Sequence, residues 1–208
     1  MKTRKGGMFG WLTQGRLALL IILLVLVADQ WIKIAVKTGM YMHERIRITN
    51  WFYILFTENP GMAFGWEFFD KLFLTSFRII AVAVIAYFLF RAIRKGVPTG
   101  FVTCMSLVVA GAAGNIIDCV FYGLIFNNPP VPFKAHFVPF GTGYGSVFHG
   151  RVVDMFYFPI IDANWPTWMP WVGGQHFVFF SPVFNLADAA ITCGILALLL
   201  FYNKRISG

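Results

Sequence analysis

The run VFNLADAAITCGILALLLFY, from Val183 to Tyr202, decides the architecture. At about 1.5 Å of rise per residue it is long enough to cross the roughly 30 Å hydrocarbon layer of a bilayer. It holds a single carboxyl, Asp188, near its start, where an ionisable group is costly unless it faces protein or water. The run therefore reads as a membrane span with a functional residue at one end. Three more runs qualify as spans: Leu12 to Ala28, Leu72 to Phe90 and Gly100 to Ile125. No small-residue cleavage site follows the first, and Asp29-Gln30-Trp31-Ile32-Lys33 continues it, so it reads as a retained helix rather than a secretory leader.

Composition supports the same solvent. Only 12% of residues are Asp, Glu, Lys or Arg and 58% are apolar, with a mean hydropathy of +0.69, which is far from an ordinary soluble domain. The net charge of +8 would suggest nucleic acid in a soluble protein. Here membrane topology accounts for it, and no nucleic-acid partner is expected. Lys2, Arg4 and Lys5 precede the first span, Arg91, Arg94 and Lys95 lie between the second and third, and Lys204 and Arg205 follow the fourth. That bias places both termini in the cytoplasm, although Lys33, Lys37, Arg45, Arg47 and Lys71 fall on the outer connections.

With this orientation Asp29, Asp118, Asp154 and Asp188 all fall at the outer interface. A lone Asp at a helix boundary is most often a cap or a solvated side chain. Four converging on one face point to chemistry. Two exposed stretches surround them. Gly39 to Asp70 contains Glu44-Arg45-Ile46-Arg47-Ile48-Thr49 and runs on through Trp51 to Phe56, which predicts an amphipathic strand on the outer leaflet. Gly123 to Pro182 is rich in Gly, Pro and aromatics suited to the headgroup level. No linker or repeat divides residues 1–208, so one membrane-embedded domain and a monomer are expected. The predicted fold is an α-helical integral membrane protein of four spans with a β-rich, aromatic outer region.

Several chemistries fail on spacing. His43-Glu44 lacks the second His of a zinc-protease helix, the other histidines have no ligand spacing, and no Gly-x-Ser-x-Gly turn surrounds a serine. Cys104, Cys119 and Cys193 lie in apolar surroundings as inert small hydrophobes. No phosphate loop is present, and no metal or cofactor is expected. Carboxylates remain. Two Asp side chains a few Å apart share a proton, so the ionised one activates water while the protonated one polarises a scissile carbonyl. Spacing alone does not choose the pair among the four. A small proton-coupled transporter would also keep intramembrane Asp residues, but it would spread polar groups through the membrane depth. Here the spans are clean apart from their outer ends and Arg78. A scaffold protein would account for the aromatic loops but not the Asn-Asp strings.

Five strings in order resemble the bacterial lipoprotein signal peptidases, or signal peptidase II: Asp29-Gln30-Trp31-Ile32-Lys33, Glu58-Asn59-Pro60-Gly61-Met62-Ala63-Phe64-Gly65, Ala110-Gly111-Ala112-Ala113-Gly114-Asn115-Ile116-Ile117-Asp118, Val152-Val153-Asp154-Met155-Phe156 and Phe184-Asn185-Leu186-Ala187-Asp188. The resemblance implies an inner-membrane aspartyl endopeptidase that cuts diacylglyceryl-modified prolipoproteins before the lipidated Cys, with membrane lipids and lipidated precursors as partners. It carries the catalytic pair onto Asp154 and Asp188. By the same carry-over Asn59, Asn115 and Asn185 line the site with Ala187, and Gly111 and Gly114 permit close helix approach. Asp29 and Lys33 are spaced for an i,i+4 pair, and Asp118 anchors the end of the third helix. Many relatives carry Arg directly after that Asp. Cys119 stands here, and Arg151 is a candidate to supply the charge instead.

Overall fold

The computed structural model describes residues 13–60 and 71–206. Lys2, Arg4, Lys5 and the Gly61–Gly65 part of the second string lie outside the described residues. Among the described residues four helices are long and apolar enough to cross a membrane: α1 (Gln14–Gly39), α2 (Lys71–Arg94), α3 (Thr99–Ile117) and α5 (Leu186–Ile206). α3 continues through a π-helical turn, Asp118–Tyr122, into the short α4 (Gly123–Ile125). Leu19, Leu24 and Val27 of α1, Phe77 and Ile80 of α2, and Leu200 and Phe201 of α5 are exposed. Such faces suit hydrocarbon rather than water, since contiguous apolar patches of this size are rare in soluble chains.

The helix ends differ from the sequence expectation: α2 runs on to Arg94 and α5 to Ile206, and two other boundaries have a visible cause. α1 runs eleven residues beyond Ala28, to Gly39, because Asp29, Lys33 and Lys37 are buried with polar partners that let the helix carry charge inward. α5 starts at Leu186 rather than Val183 because Val183 and Phe184 form a strand, β6, paired with Tyr157 and Phe156.

The described residues form two compact units. One is helical, comprising 13–30, 72–117 and 186–206. α3 is its central element: half of its spanning window is buried, against 11% for α2. Gly111 and Gly114 account for how α5 packs on it. A Cβ at Gly111 would collide with the Ala187 carbonyl oxygen and lie 2.8 Å from Ile191 Cγ1, and one at Gly114 would lie 2.8 Å from Asp29 Oδ2. Small residues here let the helices approach closely.

The other unit comprises 31–60, 71 and 118–185. Its main sheet has the order β1-β2-β3-β6, all antiparallel, from β1 (Arg45–Arg47), β2 (Tyr53–Asn59), β3 (Val152–Tyr157) and β6 (Val183–Phe184). The single strand expected over 44–56 is instead a hairpin. Ile48 and Thr49 both donate backbone N–H to the Phe52 carbonyl, and Thr49-Asn50 supplies turn residues, so Trp51 lies in the turn. Val153 and Met155 on β3 join Val36, Met40, Phe56, Tyr122 and Phe126 in one apolar core. A second, two-stranded sheet, β4 (Ile161–Asn164) with β5 (His176–Phe179), leads to a loop on which Trp168 and Trp171 are exposed.

Candidate active site

Asp188 lies in the first turn of α5. Its Oδ1 accepts a hydrogen bond from Asn115 Nδ2 of α3 at 2.8 Å. One helical turn of α3 separates Asn115 from Gly111, so the close approach of α5 permitted by that glycine is what brings carboxylate and amide together. Asp188 and Asn115 also line a cavity of about 250 Å³ whose other walls include Arg78, Val82, Ala112 and Ile191. Asp188, Asn115 and Arg78 thus share a hollow whose other walls are apolar, the general form of a ligand site. The start of α5 is capped from a distance: Asp29 Oδ1 of α1 accepts the backbone N–H of Ala187 at 2.9 Å. That carboxylate satisfies a helix-terminal donor and complements the positive end of the helix dipole. Gln30 Nε2 donates to the Gly114 carbonyl at 3.2 Å, tying α1 to α3.

In the other unit Asp154 sits on β3, buried, opposite Thr57 of β2. Alternation along β3 turns Val153 and Met155 into the apolar core and Asp154 to the other face. There Asn185 Nδ2, fully buried, donates to Asp154 Oδ1 at 2.7 Å. Asn59 ends β2 opposite Val152 and is exposed. Two residues from Thr57, it shares the Asp154 face of the sheet.

Asp118 belongs to a different kind of site. Its Oδ2 lies 2.8 Å from Lys33 Nζ, both side chains fully buried, and the same oxygen accepts the backbone N–H of Val153 at 3.3 Å. Lys33 thus has an ion-pair partner in Asp118, 85 residues away, which spacing along α1 does not reveal. Gly150 packs on the Asp118 carbonyl so tightly that a Cβ would collide with it, and its N–H donates to the Cys119 carbonyl at 2.8 Å. Cys119 itself is buried beside these groups.

Sequence reasoning missed a second charge cluster. Glu58 is bonded by Lys37 through one oxygen and by Arg151 Nη1 through the other, the latter at 3.2 Å. Lys37 Nζ is also ringed by aromatics, 5.2 Å from the centroids of both Phe126 and Tyr144, a favourable place for a desolvated cation. Arg151 further reaches Asn128 Oδ1 at 3.4 Å and stacks near Tyr144. Arg151, the candidate to supply the charge missing at Cys119, has Glu58 as its carboxylate partner. Burial pushes the Tyr144 phenol above its ordinary value, opposed by the Arg151 backbone N–H that it accepts at 2.7 Å and reinforced by Glu58. Among the described residues no buried side-chain nitrogen or oxygen lacks a hydrogen-bond partner, so both clusters are satisfied as buried polar networks must be.

Residues 21–203 match the family described as Signal peptidase (SPase) II. The chain belongs to that family. It is 49% identical over 197 residues to the lipoprotein signal peptidase of Porphyromonas gingivalis, covering 94% of this chain and 87% of that one. It is 39% identical over 194 residues to the lipoprotein signal peptidase of Amoebophilus asiaticus, covering 90% and 77%. In fold it is similar to a bacterial membrane enzyme solved by the in meso method at 1.9 Å resolution, with a TM-score of 0.57, 23% identity and coverage of 88% and 90%. The protein is therefore an integral membrane peptidase of four spanning helices and small antiparallel sheets.

Proposed function

We propose that this protein removes signal peptides from diacylglyceryl-modified prolipoproteins by cutting on the amino side of the lipidated Cys, with Asp154 and Asp188 as the catalytic pair. The observation that carries the reading is how the aspartates are held. Asp29 accepts the Ala187 N–H at the start of α5 together with the Gln30 amide, and Asp118 is paired with the buried Lys33. Asp154 and Asp188 each take an Asn amide, from Asn185 and Asn115. An amide donor fixes the orientation of a carboxylate without adding charge, which suits a group that must gain and lose a proton.

In the proposed reaction the ionised Asp takes a proton from water as the water oxygen attacks the scissile carbonyl carbon. The protonated Asp donates to the carbonyl oxygen. Collapse of the tetrahedral diol breaks the C–N bond, the departing nitrogen takes up a proton, and the products are a signal-peptide carboxylate and the free amine of the lipidated Cys. Asn59, on the Asp154 face of the sheet, would hold substrate backbone. The whole chain acts as one peptidase domain and a monomer in the bacterial inner membrane, with both termini cytoplasmic and the reaction near the outer face. The cluster Arg91, Arg94 and Lys95 between α2 and α3 supports that orientation.

The test is cleavage of two synthetic peptides of one sequence, one carrying a diacylglyceryl Cys and one unmodified, with the cut mapped by mass spectrometry. The lipid should govern turnover, because buried acyl chains contribute roughly 0.8 kcal/mol per CH₂. Cleavage only of the lipidated peptide, immediately before Cys, is expected. Equal cleavage of both would overturn the proposed substrate.

A further inference from the structure

Where α2 ends and α3 begins, the helical unit holds a second cavity, of about 300 Å³. Its walls are mostly apolar, with Phe88, Ala92, Phe101 and Met105 among them, and two cations, Arg91 and Lys95, also line it. None of the residues assigned to the reaction takes part. Arg91 Nη1 donates to Tyr87 Oη at 3.1 Å, its one side-chain hydrogen bond among the described residues, against five donors in the guanidinium. Lys95 makes no side-chain hydrogen bond or ion pair with any described residue. The segment offers no neutralising group of its own: residues 71–117 contain no Asp or Glu at all.

Two cations beside an apolar hollow at the end of two membrane spans fit a ligand that is itself half anion and half hydrocarbon. Inorganic phosphate would satisfy the cations but not the aromatic wall, and a neutral lipid would satisfy the wall but not the cations. We propose that this cavity binds one anionic phospholipid, with the phosphate held by Arg91 and Lys95 and an acyl chain lying along Phe88, Phe101 and Met105. The positive-inside arrangement of this turn then has a local use, since each basic residue near an anionic lipid surface strengthens binding about fivefold.

The experiment is native mass spectrometry of the full-length protein in a neutral detergent, titrated with phosphatidylglycerol, with phosphatidylcholine of the same chains, and with inorganic phosphate. One phosphatidylglycerol should be retained, phosphatidylcholine at least about tenfold more weakly, and millimolar phosphate should not displace the lipid. Lys95→Gln should weaken retention about fivefold and Arg91→Gln/Lys95→Gln about 25-fold, taking the contribution of each charge as independent. Both side chains are exposed, so these variants keep the fold. Arg94→Gln, outside the cavity, should leave retention unchanged. Met105→Trp should lower it by filling the apolar part while both charges remain. Unchanged retention in the double variant, equal retention of phosphatidylcholine, or an Arg94→Gln loss as large as that of Lys95→Gln would each overturn the lipid site. Full displacement by inorganic phosphate would overturn it in favour of a simple phosphate site.

Discussion

Lys33 and Asp118 form a fully buried ion pair in a chain with few charges, and removing one partner of such a pair typically costs about 3–5 kcal/mol because the other charge is left uncompensated. Asp118→Asn and Lys33→Met should therefore lower the thermal midpoint in detergent sharply while turnover per folded molecule stays near that of the native protein. The Glu58 cluster divides the same way. Glu58→Gln strands the buried Lys37 and should destabilise by a comparable amount. Arg151→Ala removes a side chain 36% exposed and should cost less than about 1 kcal/mol. Tyr144 gives a pH signature. Its phenol is raised by burial above the ordinary 10.0, so below pH 10 it is neutral both folded and unfolded and its contribution is intact. Above that the unfolded chain loses the proton first, and stability falls as pH rises. The drop in midpoint between pH 9 and 11 should be smaller in Tyr144→Phe than in the native protein. Asp154 and Asp188 are legible in sequence because strings around them match a family. Lys37, Glu58 and Arg151 are not, since partners 21 and 93 residues apart obey no local period.

At the scale of elements, the α3–α5 crossing rests on glycine. Gly111→Ala would drive a methyl into the Ala187 carbonyl and Ile191, an overpacking that typically costs about 1–3 kcal/mol, and it should also slow turnover by moving Asp188 relative to Asn115. Gly15→Ala, with nothing within 4 Å of the added Cβ, should instead stabilise α1 by up to roughly 1 kcal/mol. Thermal unfolding of the two variants side by side checks both directions. Asp29→Ala removes the acceptor for the Ala187 N–H and should cost about 1 kcal/mol, the usual loss for a helix cap. The four spanning helices are readable because an apolar run that matches the bilayer thickness is longer than the buried stripe of a soluble helix. Their ends are less so. α1 continues past Ala28 through Asp29, Lys33 and Lys37 because distant residues compensate those groups, and the first turn of α5 is set by a carboxylate from α1. Residues 44–56 read as one continuous strand because alternation carries no mark for a two-strand turn beyond Thr49-Asn50.

At the scale of the molecule, the helical unit holds Asp188 with Asn115 and the sheet unit holds Asp154 with Asn185. The central claim is that these two carboxylates act as one catalytic group. The measurement that tests it is a double-mutant cycle: cleavage of a lipidated peptide by Asp154→Asn, Asp188→Asn and the double variant, each normalised to folded protein in detergent. Residues that act as a unit are grossly non-additive. The account predicts that each single variant loses at least about a thousandfold, the scale on which acid–base partners matter, and that the double variant is no worse than either single one. Substantial turnover in one of the single variants, or losses that multiply in the double, would contradict it.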